Sequence, residues 1–335
     1  MSGERDPERV EASIIVSTRN RAGMLAGCME SILRDPSLVG RELIVVENAS
    51  SDETNDVLSR FQRDAGSVPV RTLSEPRLGK SFALNSALEV AGGRFLLFTD
   101  DDVIVEPGWA DALVAPFADP GVGAVGGRIR PKWLSPPPPW LEGAHATVVT
   151  LRDWGTEPRE FPPTEMPIGA NMAVRLAALP IDGVPFDPRF GHRGDAPIGS
   201  DENQLMYRIR RTWRLRYAPE AVVWHRITPE RVLWPALVRQ FFFFGVGEAR
   251  LLRCAPGAGE LPSLRGRIGA FRRGLAGARG GRAWREAPPD PAEAHRRLDS
   301  FFRLGYGAEL ALGGLAMVAE AAEARLAARM LPDKQ

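Results

Sequence analysis

The 335-residue chain has little of what builds disulfide frameworks, metal–thiolate clusters or nucleic-acid interfaces. Its two cysteines, Cys28 and Cys254, are too few for a disulfide scaffold or a cysteine-rich zinc site. The formal net charge is only +1, so no overall field attracts nucleic acid, and no nucleic-acid partner is expected. No run of about 18 apolar residues occurs, which argues against a membrane-spanning helix.

Lysine is also scarce, and the first residues do not resemble a leader peptide. Residues 1–10 are polar and lack the apolar core of a signal peptide, so a cytoplasmic location is expected. Lys80, Lys132 and Lys334 are the only lysines among 43 basic residues, and each of the three therefore merits separate inspection. With 44% hydrophobic and 25% charged residues, the remaining composition is that of a folded globular protein.

The first half of the chain alternates strand-like and helix-like segments. The apolar, strand-like segments are residues 13–17, 42–47, 70–73 and 94–99. The helix-like segments between them are residues 23–33, 52–64 and 80–91. Nearly continuous apolar strands that alternate with helices predict an α/β fold, with a mainly parallel sheet covered by helices on both faces.

Polar clusters follow three of these strands. They are Thr18 to Arg21, Glu47 to Asp52, and the triplet Asp100, Asp101 and Asp102. Ligands of such sheets bind at the carboxyl ends of the strands, so the three clusters are expected to form one site.

The Asp triplet has two interpretations when it is taken alone. Adjacent carboxylates repel one another unless a cation neutralises them, and hard oxygen ligands suit Mg²⁺ or Mn²⁺ bound to a diphosphate. The alternative is a solvated acidic turn before a helix that starts near Pro107. Neither is excluded by the triplet itself.

Two later features are equally open when they are taken singly. Asp201 and Glu202 begin an amphipathic helix over residues 201–211, where acids favour the helix dipole or, alternatively, supply a general base. His225 ends an apolar strand and is either a structural histidine or a metal ligand beside carboxylates.

The second half changes in composition. Residues 131–163 are rich in Pro and Trp and predict a long ordered flap, whose Trp133, Trp140 and Trp154 suit an acceptor sugar. From residue 229 onward the chain is expected to be helical, with a loop-like interruption at 255–291. Residues 263–285 hold seven arginines and no acid, which indicates a solvated basic surface or a contact with anionic lipid.

Two apolar segments near the C-terminus also allow more than one interpretation. Residues 301–330 predict a helix for packing or homodimerisation, although docking at a membrane surface also fits. Phe241 to Phe244 belong either to that apolar surface or to the core.

Together, the order of these segments resembles that of the family 2 glycosyltransferases of the glycosyltransferase A-type fold. The resemblance covers about residues 11–250, and six segments carry it: IIVSTRNR (14–21), ELIVVENASSDET (42–54), GKSFALNSALEVAGGRFLLFTDDDV (79–103), GANMAVR (169–175), SDENQLMYRI (200–209) and VVWHR (222–226). It implies a Rossmann-like catalytic domain at residues 11–228 and a helical C-terminal extension at 229–335. Within the domain, residues 11–130 would bind the nucleotide-sugar, and residues 131–228 would hold the acceptor and the base.

The resemblance implies a nucleotide-binding role for the first two polar clusters. Thr18 and Arg19 would lie along the nucleotide. Glu47 stands where the family usually has Asp, at the base or the ribose, and is one methylene longer. Asn48 and Asp52 follow the family's pattern.

The same resemblance implies donor contacts further along the chain. Lys80 would lie near the phosphates, with Asn85 on the same helix. Asp100 would contact the ribose or the sugar, and Asp101 would also belong to the donor site.

The metal and the base are likewise implied by the resemblance. Asp102 would bind Mg²⁺ or Mn²⁺, and His225 would be a further ligand. Glu202 would deprotonate the acceptor hydroxyl, with Asp201 as the alternative base, and the anomeric centre would be inverted. Gln240 is followed by four phenylalanines and not by the Arg-Trp of processive members, so transfer of a single sugar is expected.

The expected function is therefore metal-dependent hexosyl transfer from a nucleotide-diphosphate-sugar, with a UDP-sugar as the expected donor. The acceptor would be a glycan, a lipid-linked sugar or a small molecule, in cell-surface glycan or natural-product glycosylation. The C-terminal part would contact the inner face of the cell membrane. A sugar-nucleotide-binding protein without turnover and a sugar nucleotidyltransferase are the alternatives. The glycine pattern at residues 121–126 follows Asp119-Pro120 and not a strand, which argues against a dehydrogenase.

Overall fold

A computed structural model describes residues 10–64, 66, 68–141, 149–192, 198–254, 264–277 and 290–330. Part of the basic segment and part of the flap lie outside the described residues. The chain divides into two compact units, the first ending at Leu233 and the second beginning at Trp234.

The described part of the first unit contains one mixed sheet. Its strands are β1 (Ala12–Thr18), β2 (Arg41–Glu47), β3 (Val70–Ser74), β4 (Phe95–Asp100), β5 (Val103–Val105), β6 (Val122–Trp133), β7 (Arg159–Glu160), β8 (Asn171–Arg175) and β9 (Arg214–Ile227). They pair in the order β3-β2-β1-β4-β8-β6-β9-β5, and β7 pairs with β9. The helices of this unit are α1 (Ala22–Leu33), α2 (Thr54–Asp64), α3 (Lys80–Val90), α4 (Trp109–Val114) and α5 (Asp201–Arg210).

The N-terminal half of the sheet is parallel, as its apolar strands predict. Successive side chains of a strand point to opposite faces, so both faces of β1 are buried. Ile14 packs in one core with Leu25 of α1, and Ile15 packs in another with Leu84 of α3. Burial on both faces explains why these strands contain so few polar residues.

The C-terminal half of the sheet mixes strand directions, which the mainly parallel prediction did not include. Strand β8 is antiparallel to β4 and β6, and β5 is antiparallel to β9. Strand β9 continues through Pro219 with a register shift against β6: Gly127 of β6 pairs with Ala218, and Arg128 pairs with Val222. The predicted flap begins inside β6 and includes β7.

The second unit contains α6 (Trp234–Cys254), α7 (Leu264–Gly277) and α8 (Pro291–Met330). Helices α6 and α8 pack so closely that Gly245 has no room for a side chain: a Cβ there would lie 2.0 Å from the Phe302 carbonyl oxygen. Phe241 is buried in this unit, and Arg250 and Arg253 bind Glu309. Among the described helices, none is long and apolar enough to cross a bilayer.

Candidate functional site

Each carboxylate of the Asp triplet has a cationic partner. Lys80 Nζ lies 2.7 Å from Asp100 Oδ1. Arg21 Nη1 lies 3.0 Å from Asp101 Oδ1 and 2.8 Å from Asp102 Oδ2. Burial raises the pKa of Asp101 to about 6, although the charge of Arg21 lowers it. The repulsion expected among adjacent carboxylates is therefore relieved by the protein's own side chains.

The pairing of β5 with β9 places His225 beside the triplet. Val103 pairs with His225, and the Arg226 amide donates to the Asp102 carbonyl oxygen at 2.8 Å. His225 is buried, and its Nε2 lies 3.3 Å from Asp102 Oδ1. Its Nδ1 lies 2.8 Å from the Val149 carbonyl oxygen, which can only accept, so Nδ1 is the donor of that hydrogen bond. Its Nε2 lies 3.1 Å from Arg231 Nη1, which can only donate, so Nε2 accepts through its lone pair.

These two residues fit a divalent cation. Asp102 Oδ1 is buried without a hydrogen-bond partner and faces the lone pair of His225 Nε2. Two adjacent ligands of an octahedral cation lie about 3 Å apart, which matches this separation. Among the described residues, no group of three or more acidic, His or Cys side chains could hold a metal. The protein would therefore supply two ligands, and substrate phosphate and water would supply the rest.

Lys80 is the first residue of α3 and connects Asp100 with Glu202. Gly79 before it has φ +138°, a conformation that side chains other than glycine rarely adopt. The Nζ of Lys80 donates to Asp100 Oδ1 at 2.7 Å and to Glu202 Oε1 at 3.0 Å. Burial lowers the pKa of Lys80, but the two carboxylates outweigh burial and raise it well above its ordinary value, so Lys80 is charged.

Glu202, at the start of α5, is held from a second side by the backbone. The Gly169 amide donates to its Oε2 at 3.1 Å, and a Cβ at Gly169 would lie 1.9 Å from Oε1. Burial raises the pKa of Glu202, and so do the charges of Asp201 and Asp100, against the lowering effect of Lys80. A carboxylate with a raised pKa is a better proton acceptor near neutral pH.

Asp201 has a different environment. It is only 1% exposed, and its Oδ2 accepts from the Ser81 hydroxyl of α3 at 2.6 Å. The Glu202 side chain is 18% exposed. Of the two candidate bases, Glu202 is therefore the more accessible to an acceptor.

A cavity of about 330 Å³ lies at the carboxyl ends of β1 and β4. Of the residues predicted for the site, it is lined by Thr18, Arg19, Asn48, Lys80, Asp100 and Asp101. It is also lined by Arg21, which belongs to the first polar cluster, and by Ser17, Gly79 and His192, which were not predicted. Thr18 further donates to Asp101 Oδ2 at 2.7 Å.

Three predicted nucleotide contacts do not line this cavity and have other partners. Glu47 accepts from the Ser50 amide and from the Ser74 hydroxyl. Asp52 caps the start of α2 through the Thr54 amide at 3.1 Å. Their roles at the nucleotide stay predictions.

Asn85 is the third of these contacts, and Asn48 also has a structural role. Asn85 exchanges two hydrogen bonds with the backbone of Phe186, at 2.7 and 3.1 Å. Asn48 lines the cavity, but its side chain binds the backbone of Glu75, Arg77 and Gly79. The structure thus places both side chains in contact with the loops that border the site.

Four residues that sequence reasoning missed belong to this region. Arg21 ends the first polar cluster but had no predicted role, and Arg231 follows His225 by six positions. Arg231 Nη1 lies 2.7 Å from Asp102 Oδ2. Gly169 carries no chemical side chain, and His192 lies next to residues outside the described part of the chain. Burial lowers the pKa of His192, although the charge of Asp201 raises it.

The indoles of the predicted flap are partly engaged with the protein. Trp154 packs against Phe161 and Tyr217, with ring centroids 4.9 and 5.2 Å apart. Trp140 is buried, and Trp133 is half-buried at the end of β6. Their contact with an acceptor stays a prediction.

Comparison with known proteins bears on the family and the fold. The sequence model described as Glycosyl transferase family 2 matches residues 13–178, from β1 past β8. An uncharacterized protein of Sinorhizobium fredii is 37% identical over 120 residues, covering 35% of this chain and 13% of that protein. A GalNAc(5)-diNAcBac-PP-undecaprenol beta-1,3-glucosyltransferase of Campylobacter jejuni is 32% identical over 90 residues, covering 27% of this chain and 29% of that protein. The chain thus spans less than a third of either relative.

A solved structure shows the same fold over nearly the whole chain. The mannosyltransferase PcManGT from Pyrobaculum calidifontis, in complex with GDP-Man and Mn²⁺, has a TM-score of 0.57 at 20% identity, covering 96% of this chain and 82% of that one. This likeness confirms the predicted glycosyltransferase A-type fold. Because the family match spans β1, the Asp triplet and β8 within that fold, the chain belongs to glycosyl transferase family 2.

Proposed function

We propose that this chain transfers one sugar from a nucleotide-diphosphate-sugar to an acceptor hydroxyl, with inversion and with Glu202 as the general base. The observation that carries the proposal is the direct link between Glu202 and the donor cavity. Lys80 contacts Glu202 at 3.0 Å and Asp100 at 2.7 Å, so one cation joins the base to the Asp triplet.

The cavity has the size and charge for a nucleoside diphosphate. Its volume of about 330 Å³ is in the range of small-molecule sites. Lys80, Arg19 and Arg21 line it and supply positive charge for the diphosphate. We propose a UDP-sugar as the donor, as the family resemblance implies.

A divalent Mg²⁺ or Mn²⁺ ion would be held by Asp102 and His225. When bound, such an ion offsets the negative charge that develops on the leaving diphosphate. Two structures of related fold support this part of the proposal: PcManGT binds GDP-Man and Mn²⁺, and GalNAc-T7 binds UDP, GalNAc and Mn²⁺ (TM-score 0.51, 16% identity, covering 78% of this chain and 54% of that one).

The proton and the sugar move in one displacement. Glu202 accepts the proton of the acceptor hydroxyl, whose oxygen bonds to the anomeric carbon from the face opposite the diphosphate. The bond from the anomeric carbon to the phosphate oxygen breaks, and the nucleoside diphosphate leaves with that electron pair. Lys80 lies where it can stabilise the negative charge on the departing group.

The acceptor is proposed as a class. A glycan, a lipid-linked sugar and a small molecule all present the hydroxyl that Glu202 requires, and the Campylobacter relative is named for an undecaprenol-linked substrate. Cytoplasmic location, homodimerisation and contact of the second unit with a membrane surface are part of this proposal. Failure of the full chain to sediment with anionic vesicles would remove the membrane contact.

Product analysis tests the function against its two alternatives. The full chain is incubated with UDP- and GDP-sugars, Mn²⁺ and a pool of hydroxyl acceptors. A transferase releases nucleoside diphosphate and forms a glycoside of inverted anomeric configuration. In a parallel incubation with added pyrophosphate, a nucleotidyltransferase would instead transfer the nucleotidyl group of the donor to pyrophosphate and form nucleoside triphosphate and sugar 1-phosphate. A binding protein would leave the donor intact, and either result would contradict the proposal.

A further inference from the structure

One guanidinium group lies between the two proposed metal ligands. Arg231 Nη1 is 2.7 Å from Asp102 Oδ2 and 3.1 Å from His225 Nε2. Arg231 belongs to the short helical turn Pro229–Val232 that follows β9. Its contact with Nε2 uses the same lone pair that a metal ion would need.

The guanidinium satisfies this site only in part. Asp102 Oδ2 receives both Arg21 and Arg231, whereas Asp102 Oδ1 is buried and has no hydrogen-bond partner. An unpartnered, buried carboxylate oxygen is energetically costly. A small cation could contact Oδ1 and Nε2 together, so the arginine and a metal ion cannot both bind His225 Nε2.

We propose that Arg231 is an internal cation that competes with the divalent metal for Asp102 and His225. Metal binding then requires the Arg231 side chain to leave. This inference rests on the metal site of the proposed function, but it concerns the metal-free protein and needs no turnover.

The surroundings allow Arg231 to leave. Its side chain is 30% exposed, against 4% for Asp102. It borders a second cavity, of about 530 Å³, also lined by Arg21, Asp52 and Thr228. Arg21 binds both Asp101 and Asp102, so it keeps Asp102 partly neutralised when Arg231 moves out.

The test is direct Mn²⁺ binding to the full chain without donor, measured by the electron paramagnetic resonance signal of free Mn²⁺. R231Q is expected to bind Mn²⁺ about tenfold more tightly than the wild type, since a partly exposed charged contact no longer competes. R231K keeps a cation at this position, and its Mn²⁺ affinity is expected to be closer to that of the wild type. R214Q, at the other end of β9, removes the same charge from an exposed pair with Asp119 and is expected to leave Mn²⁺ affinity unchanged.

Thermal melts establish that each variant is folded, and D102N identifies the site. Unchanged or weaker Mn²⁺ binding by R231Q, with binding that still depends on Asp102, would overturn the competition and leave the proposed function standing. If R214Q bound Mn²⁺ as much more tightly as R231Q does, the competition would also be overturned, because loss of any positive charge would then explain the higher affinity. Mn²⁺ binding that is absent, or the same in D102N and wild type, would overturn both this inference and the proposed metal site.

Discussion

The Glu202 carboxylate is held by donors of two kinds, the Lys80 ammonium on Oε1 and the Gly169 amide on Oε2. The first contact orients the base and couples it to the donor cavity. The second depends on the lack of a side chain at residue 169. These two contacts lead to separate predictions at the scale of single residues.

The first residue-scale prediction concerns pH. A base works only when deprotonated, so kcat/KM should rise with pH through the pKa of Glu202 in the free enzyme. Burial raises the pKa of Glu202, so this acid limb should lie above the ordinary glutamate value of about 4.3. Lys80 lowers the pKa, so K80M should move the limb to still higher pH, in addition to weakening donor binding.

The measurement is a pH profile of kcat/KM for the wild type and K80M, each with its donor KM determined at every pH. An acid limb at or below the ordinary glutamate value in the wild type would contradict Glu202 as the base. An acid limb that moves to lower pH in K80M would also contradict Glu202 as the base.

The second residue-scale prediction concerns Gly169. A Cβ there would lie 1.9 Å from Glu202 Oε1, and the flexible carboxylate would have to move. Because a shift of about 1 Å at a catalytic group costs about 10²-fold, G169A should lower kcat by that order with little change in melting temperature. G269A, in α7, serves as the matched control and should keep full activity. A G169A enzyme with wild-type kcat would show that the position of the Glu202 carboxylate is not critical.

The sequence draws attention to the acids and the histidine of this region more readily than to their arginine partners. Asp102, Glu202 and His225 stand at strand or helix ends, where their chemistry is conspicuous. Arg21 and Arg231 are not distinguishable by composition, because 40 of the 43 basic residues are arginines. Only the pairing of β5 with β9 brings the Arg231 turn against Asp102.

At the scale of elements, α3 connects the site with the core. It begins at Lys80, contributes Ser81 to Asp201, and binds the Phe186 backbone through Asn85. The sequence predicts this helix over residues 80–91, and the structure has it over Lys80–Val90. It does not predict these long-range contacts, which depend on how the segment after β8 folds back over α3.

Asn85 provides the element-scale prediction. N85A would leave the amide and carbonyl of Phe186 without their partners, at a cost of about 1–3 kcal/mol in the free energy of unfolding. We expect a lower melting temperature and an unchanged Kd for nucleoside diphosphate, by chemical denaturation and calorimetry. Weaker nucleotide binding at unchanged stability would instead support the donor contact predicted from the family.

The strands divide into predictable and unpredictable ones for a physical reason. Strands β1, β2 and β4 are buried on both faces, and their apolar runs identify them. Strands β5 and β7 have three and two residues, too few to show any periodicity. The place of β8 between β4 and β6 is set by packing and is not encoded in any local pattern.

On the scale of the whole molecule, the near-neutral net charge conceals a strongly charged site. Acids and arginines lie together at one edge of the sheet, although the chain carries only +1 overall. Fold and family follow from the order of motifs along the chain. Acceptor identity does not, because no short motif in the chain specifies an acceptor.

Binding of nucleotide and metal gives the whole-molecule prediction. A ligand at about 100 times its Kd stabilises the folded state by about 2.7 kcal/mol, which raises the melting temperature by several degrees. UDP with Mn²⁺ should stabilise the wild type more than UDP alone, and chelation should remove the difference. D102N should lose the additional stabilisation by Mn²⁺ and keep the stabilisation by UDP alone. If neither UDP nor GDP stabilised the protein under any condition, the donor site would be wrong.

The identity of the base is the central claim, and the rate of nucleoside diphosphate release by E202Q tests it most directly. Gln keeps the size of the side chain and cannot accept the proton, so the rate should fall by about 10²–10⁴-fold while the Kd for the nucleoside diphosphate stays close to that of the wild type. E89Q, an exposed change on α3, is the matched control and should match the wild type. An E202Q enzyme that releases nucleoside diphosphate at the wild-type rate would contradict Glu202 as the base.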